Sequence, residues 1–324
     1  MSVAAPTPLL EVEGLHVGLR LQGRVLPAVS DVSFTVDAGR ALGLLGESGS
    51  GKTLTALSIL RLLPPSLAEL QGEVRFRGEE ILTAQPERLR ELRGKGIGMV
   101  FQDPLTFLNP VLRVGDQIAE PLRVHLGQSD ELSRSHVLSL LNEVGLADPA
   151  RIAHSYPHEL SGGQRQRAMI AAALSCDPAL VVADEPTTAL DVTVQAQILK
   201  LLDRERRQRA MGLLLISHDL AVIAQVCDEV AVMYAGRIVE RGPTAKVLGQ
   251  PSHPYTAGLL RSVRALEEPR REGEELPALR GIVPGIEALL PVGCRFHERC
   301  DRGDGLCLSR TPELAEGVAC HHPL

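Results

Sequence analysis

Residues Gly46 to Thr53, reading GESGSGKT, constrain this chain more than any other stretch. They fit G-x-x-x-x-G-K-[ST], the pattern of a phosphate-binding loop. The run before it, Ala41 to Leu45, is apolar and reads as a buried strand. The run after it, Leu54 to Leu63, reads as a helix stopped by Pro64-Pro65. A strand-to-helix junction is the context such a loop needs. Gly46, Gly49 and Gly51 let the backbone turn its N–H groups inward, and the helix N-terminus adds partial positive charge. Glu47, Ser48 and Ser50 complete the cradle. Lys52 is expected to reach the β- and γ-phosphates, and Thr53 to ligate Mg²⁺ through its hydroxyl.

The chain has 324 residues, enough for one large domain or two smaller ones. Its net charge of −6 gives no reason to expect nucleic acid as a partner. No apolar run approaches the length needed to cross a membrane. The first residues lack the basic and apolar regions of a secretion signal, so none is expected. Six cysteines in a chain of this size do not suggest an oxidised scaffold, but four of them fall after residue 293.

In chain order, Leu9 to Val17 and Val29 to Val36 alternate as half-exposed strands do. Glu73 to Phe76, with Gly78 and Ile81, suggests another strand pair, and Gly96 to Phe101 a buried strand ending at Gln102. From about Val114 to Leu174 the pattern is helical, so residues of about 103–175 read as a helical insert in an α/β core. Within it Ser161 is a plausible N-cap, and Gly162 and Gly163 precede Gln164 at the start of a long helix. This second anion site lacks a lysine and alone would hold phosphate weakly. The core resumes with Ala179 to Ala183, ending in Asp184-Glu185. With a phosphate loop upstream, Asp184 is expected to hold Mg²⁺ and Glu185 to polarise the attacking water. Asp191 leads into a helix from Val192 to Glu205. Leu213 to Ile216 is another buried strand, and His218 after it is a candidate sensor of the γ-phosphate. Glu229 to Met233 and Gly236 to Glu240 close the core.

Together these motifs resemble the ATP-binding subunit of an ABC transporter. The resemblance rests on GESGSGKT, the glutamine at 102, LSGGQ at Leu160 to Gln164, DEPTTALD at Asp184 to Asp191, and His218. It implies an α/β P-loop ABC ATPase core, a mixed sheet flanked by helices, over residues 1–242, and a small irregular extension over 243–324. It implies ATP and Mg²⁺ as cofactors, with Thr53, Gln102 and Asp184 near the metal and Glu185, His218 and Gln102 in catalysis. Two such domains pack head to tail in this family, so Ser161, Gly162, Gly163 and Gln164 would act on the partner's nucleotide, with Asp191 at the interface. The family usually stacks adenine on an aromatic residue, and alignment puts Leu19 there. Plain apolar contact would replace a stacking energy of about 1–3 kcal/mol.

The tail resembles the C-terminal extension of oligopeptide and dipeptide importer ATPases, which nickel importers share. HPYTAGLL at His253 to Leu260, GIVPG at Gly281 to Gly285 and PVGCRFHERC at Pro291 to Cys300 carry that likeness. It implies two transmembrane permease subunits, a second and non-identical ATPase, an extracytoplasmic substrate-binding protein, no nucleic acid, and a place on the cytoplasmic face of the inner membrane. A soluble ABC ATPase is the competing class, disfavoured because neither fused halves nor a long coiled coil is present. Cys294, Cys300, Cys307 and Cys320 are separated by five, six and twelve residues, without a C-x-x-C pair. The spacing leaves free thiols, a metal or iron–sulfur site, and disulfides open. Some relatives carry a [4Fe–4S] cluster on this pattern; zinc with His297, His321 or His322 is the competitor. Cys176 and Cys227 read as core residues.

Overall fold

The computed structural model describes residues 7–188, 190–267, 279–289 and 292–324, without the side chains of 264–267. The charged stretch Glu267 to Glu275 lies, beyond Glu267, outside the described residues, as does Pro291.

The phosphate loop hangs from a six-stranded sheet. Its strands are β3 (Ala41–Leu45), β6 (Ile97–Val100), β7 (Leu180–Asp184), β8 (Gly212–Ser217), β9 (Glu229–Tyr234) and β10 (Arg237–Pro243). Their order is β10-β9-β3-β8-β7-β6, parallel except for the β10–β9 pair. Alternation fixes the two faces. Leu42, Leu44, Val182, Leu214 and Ile216 enter one core, while Ala41, Leu45, Val181, Leu213 and Leu215 enter the other. Burial on both faces is why these strands read as continuous apolar runs.

The first core is closed by a smaller antiparallel sheet, ordered β2-β1-β4-β5. It comprises β1 (Leu10–Leu21), β2 (Arg24–Val36), β4 (Ala68–Phe76) and β5 (Glu79–Glu80). The helix after the phosphate loop runs Lys52–Ile59, shorter than the expected end at Leu63. Arg61 turns into the left-handed region at φ 49°, which releases Leu62 and Leu63 to pack on that core.

The second core is covered by the insert between β6 and β7. Helices Val114–Leu126, Asp130–Glu143, Pro149–His154 and Gly162–Leu174 form it. Val114, Ile118 and Leu122 recur every four residues and are buried. Ser129 starts the second helix by accepting the Leu132 N–H at 3.3 Å.

The tail joins this same core. Tyr255, in the helix Pro254–Glu267, and Phe296 meet Tyr234 at the end of β9, with ring centroids 4.8 and 5.2 Å from it. Edge-on contacts of this kind add about 0.5–1.5 kcal/mol beyond area burial. Farther on, the Arg241 N–H donates to the Gly317 carbonyl at 2.7 Å and the Ala319 N–H to that of Val239 at 2.8 Å. The tail thereby covers β10, the open edge of the sheet. Cys176 and Cys227 are buried in the body of the fold, and burial pushes the Cys227 thiol up to about 12.

Candidate nucleotide site

Gly46 to Thr53 leave the end of β3 and curl over the start of the helix Lys52–Ile59. Two glycines are obligatory here. A Cβ on Gly46 would meet the Met233 carbonyl at 2.3 Å, and Gly51 stands at φ 99°. Lys52 is buried inside the loop, its Nζ donating to the carbonyls of Gly46 at 2.7 Å and Glu47 at 3.0 Å. Burial lowers its ammonium below the usual range, against the pull of Glu185, Asp184 and Glu47.

The acidic pair lies beside it. Thr53 Oγ1 donates to Asp184 Oδ1 at 3.1 Å, so the two expected metal ligands are already adjacent. Asp184 is buried at the end of β7, and burial raises its carboxyl above the ordinary range while the Thr53 hydrogen bond opposes that. A hydroxyl and a carboxylate are hard oxygen donors, as Mg²⁺ requires.

Glu185 is the next residue and departs from the strand at φ 45°. Left-handed backbone is uncommon outside glycine and often marks a working residue. Its N–H is held by the Ile216 carbonyl at 3.0 Å, which aims the side chain. Three groups converge on that carboxylate. Gln102 Nε2 donates to Oε2 at 3.1 Å, Thr188 Oγ1 to Oε2 at 2.9 Å, and His218 Nδ1 lies 3.2 Å from Oε1. Residues expected from separate strand ends thus meet at one carboxylate, and Thr188 joins them unforeseen. All line one cavity of about 950 Å³ with the phosphate loop and Leu19.

The LSGGQ residues do not line that cavity. Ser161 and Gln164 form a reciprocal cap: Ser161 N–H donates to Gln164 Oε1 at 3.0 Å and Gln164 N–H to Ser161 Oγ at 3.3 Å. Gly163 has a packing reason as well, because a Cβ there would come 2.9 Å from Val194. Asp191 caps the helix Val192–Arg209 through the Val194 N–H at 2.9 Å.

Comparison with known proteins agrees with this geometry. Residues 29–188 match the family described as ABC transporter, and residues 239–307 match the oligopeptide/dipeptide transporter C-terminal region. A protein of Brucella ovis named for peptide import ATP binding is 48% identical over 97% of this chain and 95% of its own length. The chain belongs to the ABC transporter ATP-binding family. The bacterial ABC transporter cassette MJ0796, solved as a dimer, aligns with TM-score 0.65 and 26% identity over 72% of this chain and 98% of that one. The same cassette in a post-hydrolysis state with ADP and Pi aligns with TM-score 0.66, again at 26% identity over 72% of this chain and 98% of that one.

The ABC ATPase loop has a support that its motifs do not reveal. The Glu47 N–H donates to the Tyr255 hydroxyl at 3.0 Å. The Glu47 carboxylate takes a two-pronged ion pair from Arg299 at 2.8 and 3.1 Å. The Arg299 guanidinium also lies 5.6 Å from the Tyr234 ring centre and donates from Nε to the Arg280 carbonyl at 2.7 Å. The one hint in the sequence is compositional: with eight aromatic residues in all, a tyrosine at the start of a short helix is a strong candidate for an anchor.

Arg299 stands next to the cysteines. Cys294, Cys300, Cys307 and Cys320 line one small cavity with His253 and His297. None is in a disulfide. Burial pushes the Cys294 thiol up to about 11 and also raises Cys307 and Cys320. Two ring nitrogens on the wall, His253 Nε2 and His297 Nδ1, are buried without a hydrogen-bond partner. Since His253 Nδ1 accepts the Tyr255 N–H at 3.0 Å, its other nitrogen carries a proton facing no acceptor.

Proposed function

We propose that this chain is the ATP-hydrolysing motor of an importer for di- and oligopeptides. The observation that carries the ATPase part is the convergence of Gln102, Thr188 and His218 on Glu185, one residue from the Thr53–Asp184 pair. In this reading Thr53 and Asp184 hold Mg²⁺ with Gln102 beside it, Lys52 neutralises the β- and γ-phosphates, and Glu185 takes a proton from the attacking water while His218 orients toward the γ-phosphate. Bound Mg²⁺ would supply charge neutralisation for the leaving phosphates.

Ser161 to Gln164 serve a second copy's or a second subunit's nucleotide, head to tail, with Asp191 nearby. Their absence from the lining of their own cavity and the dimeric form of the cassette MJ0796 support this. Peptide cargo is supported by the names of the relatives and by the matching C-terminal region. Residues 1–242 serve as the motor, with the insert of about 103–175 as the docking part and 243–324 as the extension. Leu105, Phe107, Val111 and Leu112, just after Gln102, are 41–75% exposed, which suits a face that meets two membrane permeases. No described helix is long and apolar enough to cross the membrane itself. A non-identical second ATPase and an extracytoplasmic binding protein complete the assembly, on the cytoplasmic face of the membrane.

We assign the four tail cysteines to a metal centre, with [4Fe–4S] preferred to zinc. Four sulfurs about 2.3 Å from one Zn²⁺ would stand roughly 3.8 Å apart. Among the described residues, the trio of potential ligands within 4.8 Å of one another is Asp304, Cys307 and His322, not three cysteines. That no three of the sulfurs lie within 4.8 Å of one another suits a multinuclear cluster better than one zinc ion, and the unpartnered His253 N–H suits a sulfur acceptor. Bound, such a cluster would supply bonds tying the tail's turns together. Iron and acid-labile sulfide in anaerobically purified protein are the expected result; neither iron nor zinc would end the assignment.

The functional test is affinity purification from the native membrane, with mass spectrometry of the proteins that co-purify. Two polytopic permeases, a second ATPase and a peptide-binding protein are expected. Recovery of ribosomes or repair proteins without a membrane subunit would overturn transport and leave the ATPase chemistry standing.

A further inference from the structure

The cavity that holds the phosphate loop does not end at the ATPase body. Its far wall is made by the tail, through Ile282, Val283, Pro284, Ile286 and Leu289. The turn Ile286–Ala288 packs against β2, the strand that brings Ala28 to the same cavity. Arg299 holds the start of this segment through the Arg280 carbonyl, and Leu279 lies so close over Gly258 that a Cβ there would collide with it. Ile282 is 86% exposed, an unusual place for a large apolar side chain beside a site for a highly charged ligand.

ATP has one apolar, flat part, its base. On the body side the cavity offers Leu19 and Ala28, and no Phe, Tyr or Trp is among its described lining residues, so the body alone offers the base little. We infer that residues 282–289 of the tail form the nucleobase wall of this ATP site, with Ile282 and Val283 as its main contacts. The occupant is the base of the nucleotide whose phosphates Lys52 holds, because the wall and the phosphate loop share one continuous cavity. Aliphatic contact is shape-selective without reading hydrogen bonds, so the wall favours purines over pyrimidines and separates ATP from GTP weakly. The inference rests on the ATPase reading above.

Calorimetric titration with ATP, GTP and inorganic tripolyphosphate tests it, on the full chain and on the double variant Ile282→Ser with Val283→Ser. We expect ATP and GTP to bind on the order of 3–10-fold more weakly in the variant, from lost apolar burial, with tripolyphosphate unchanged. Ile282→Phe should tighten ATP about fivefold, and Leu19→Tyr should do the same from the other side. That pair keeps the test valid if the serine variant folds poorly. ATP affinity unchanged in the serine and phenylalanine variants would overturn the wall. So would a joint fall of ATP and tripolyphosphate, which would mean the tail acts only through Glu47. Weakened self-association with unchanged ATP binding would give the wall to a second copy and overturn it too. If the wild-type chain bound neither ATP nor tripolyphosphate, the ATPase reading itself would fail first.

Discussion

In the proposed reading two helix N-termini of this chain meet phosphate, and they are built differently. The one at Lys52 follows a loop with a left-handed glycine, buries a lysine, and opens onto the catalytic carboxylates. The one at Gly162 is capped by its own serine and glutamine side chains and sits on the exposed side of the insert. The first can bind a nucleotide alone. The second gives one of its free N–H groups to Ser161, turns its Arg165 back onto the Leu160 carbonyl, has no lysine, and in the proposed reading adds to a phosphate held elsewhere. In that reading one site is for affinity and the other for closing on a ligand that a partner presents.

The sharpest cut between them is chemical. Glu185→Gln should leave ATP binding intact and reduce hydrolysis by roughly 10²–10⁴, since the proton acceptor is gone while Gln102 and His218 remain. Steady-state phosphate release and gel filtration with ATP check this; wild-type turnover would remove Glu185 from its role. Next comes Lys52→Ala, which should weaken ATP binding by about 10–100-fold in the single chain through loss of a charged hydrogen-bond donor. Ser161→Asp should behave in the opposite manner. The helix keeps a good cap, so folding and single-chain ATP affinity stay as they were. A negative charge now faces the partner's phosphate, so ATP-driven dimerisation and hydrolysis should drop about tenfold or more. If Ser161→Asp instead matched Lys52→Ala in single-chain titrations, the two N-termini would serve one nucleotide in one chain, and the contrast between them would be void.

A smaller effect concerns stability. The folded chain raises the Asp184 carboxyl by burial, so its protonated form contributes stability that is present at low pH and is lost as pH rises through that raised value. At neutral pH the ionised group strains the fold. Asp184→Asn should therefore melt at a higher temperature while losing Mg²⁺-dependent hydrolysis. Calorimetry at two pH values should show a larger advantage for the variant at the higher one. The smallest shift belongs to Arg299→Met, which removes the ion pair on the Glu47 carboxylate and should loosen ATP by about two- to fivefold, read by titration with ATP.

The same contrast explains what can be read from the chain. The phosphate loop is legible because strand, loop and helix are contiguous, and backbone geometry dictates glycine at 46 and 51. The central strands are legible because both their faces are buried. Gln102, Glu185 and His218 meet only through the parallel order β3-β8-β7-β6, which spacing alone does not give; the family likeness supplies it. Thr188 stays hidden, since a threonine inside DEPTTALD has no signal of its own. The helices Pro149–His154, Leu220–Val226 and Thr244–Gly249 are two turns or fewer, too short for a period to show. The contacts of Tyr255 and Arg299 with Glu47 are hidden for another reason. They join segments 208 and 252 residues apart, and no local pattern encodes such a pairing.

That separation also sets a clock. A ribosome adds about 5–20 residues per second, so roughly 13–50 seconds pass between the synthesis of Glu47 and that of Arg299. During that interval the nascent chain carries a phosphate loop whose acidic residue has no arginine and whose backbone N–H has no tyrosine for most of the wait. The tail's support for the loop therefore arrives late in synthesis, after Lys52, Gln102, Glu185 and His218 have all been made.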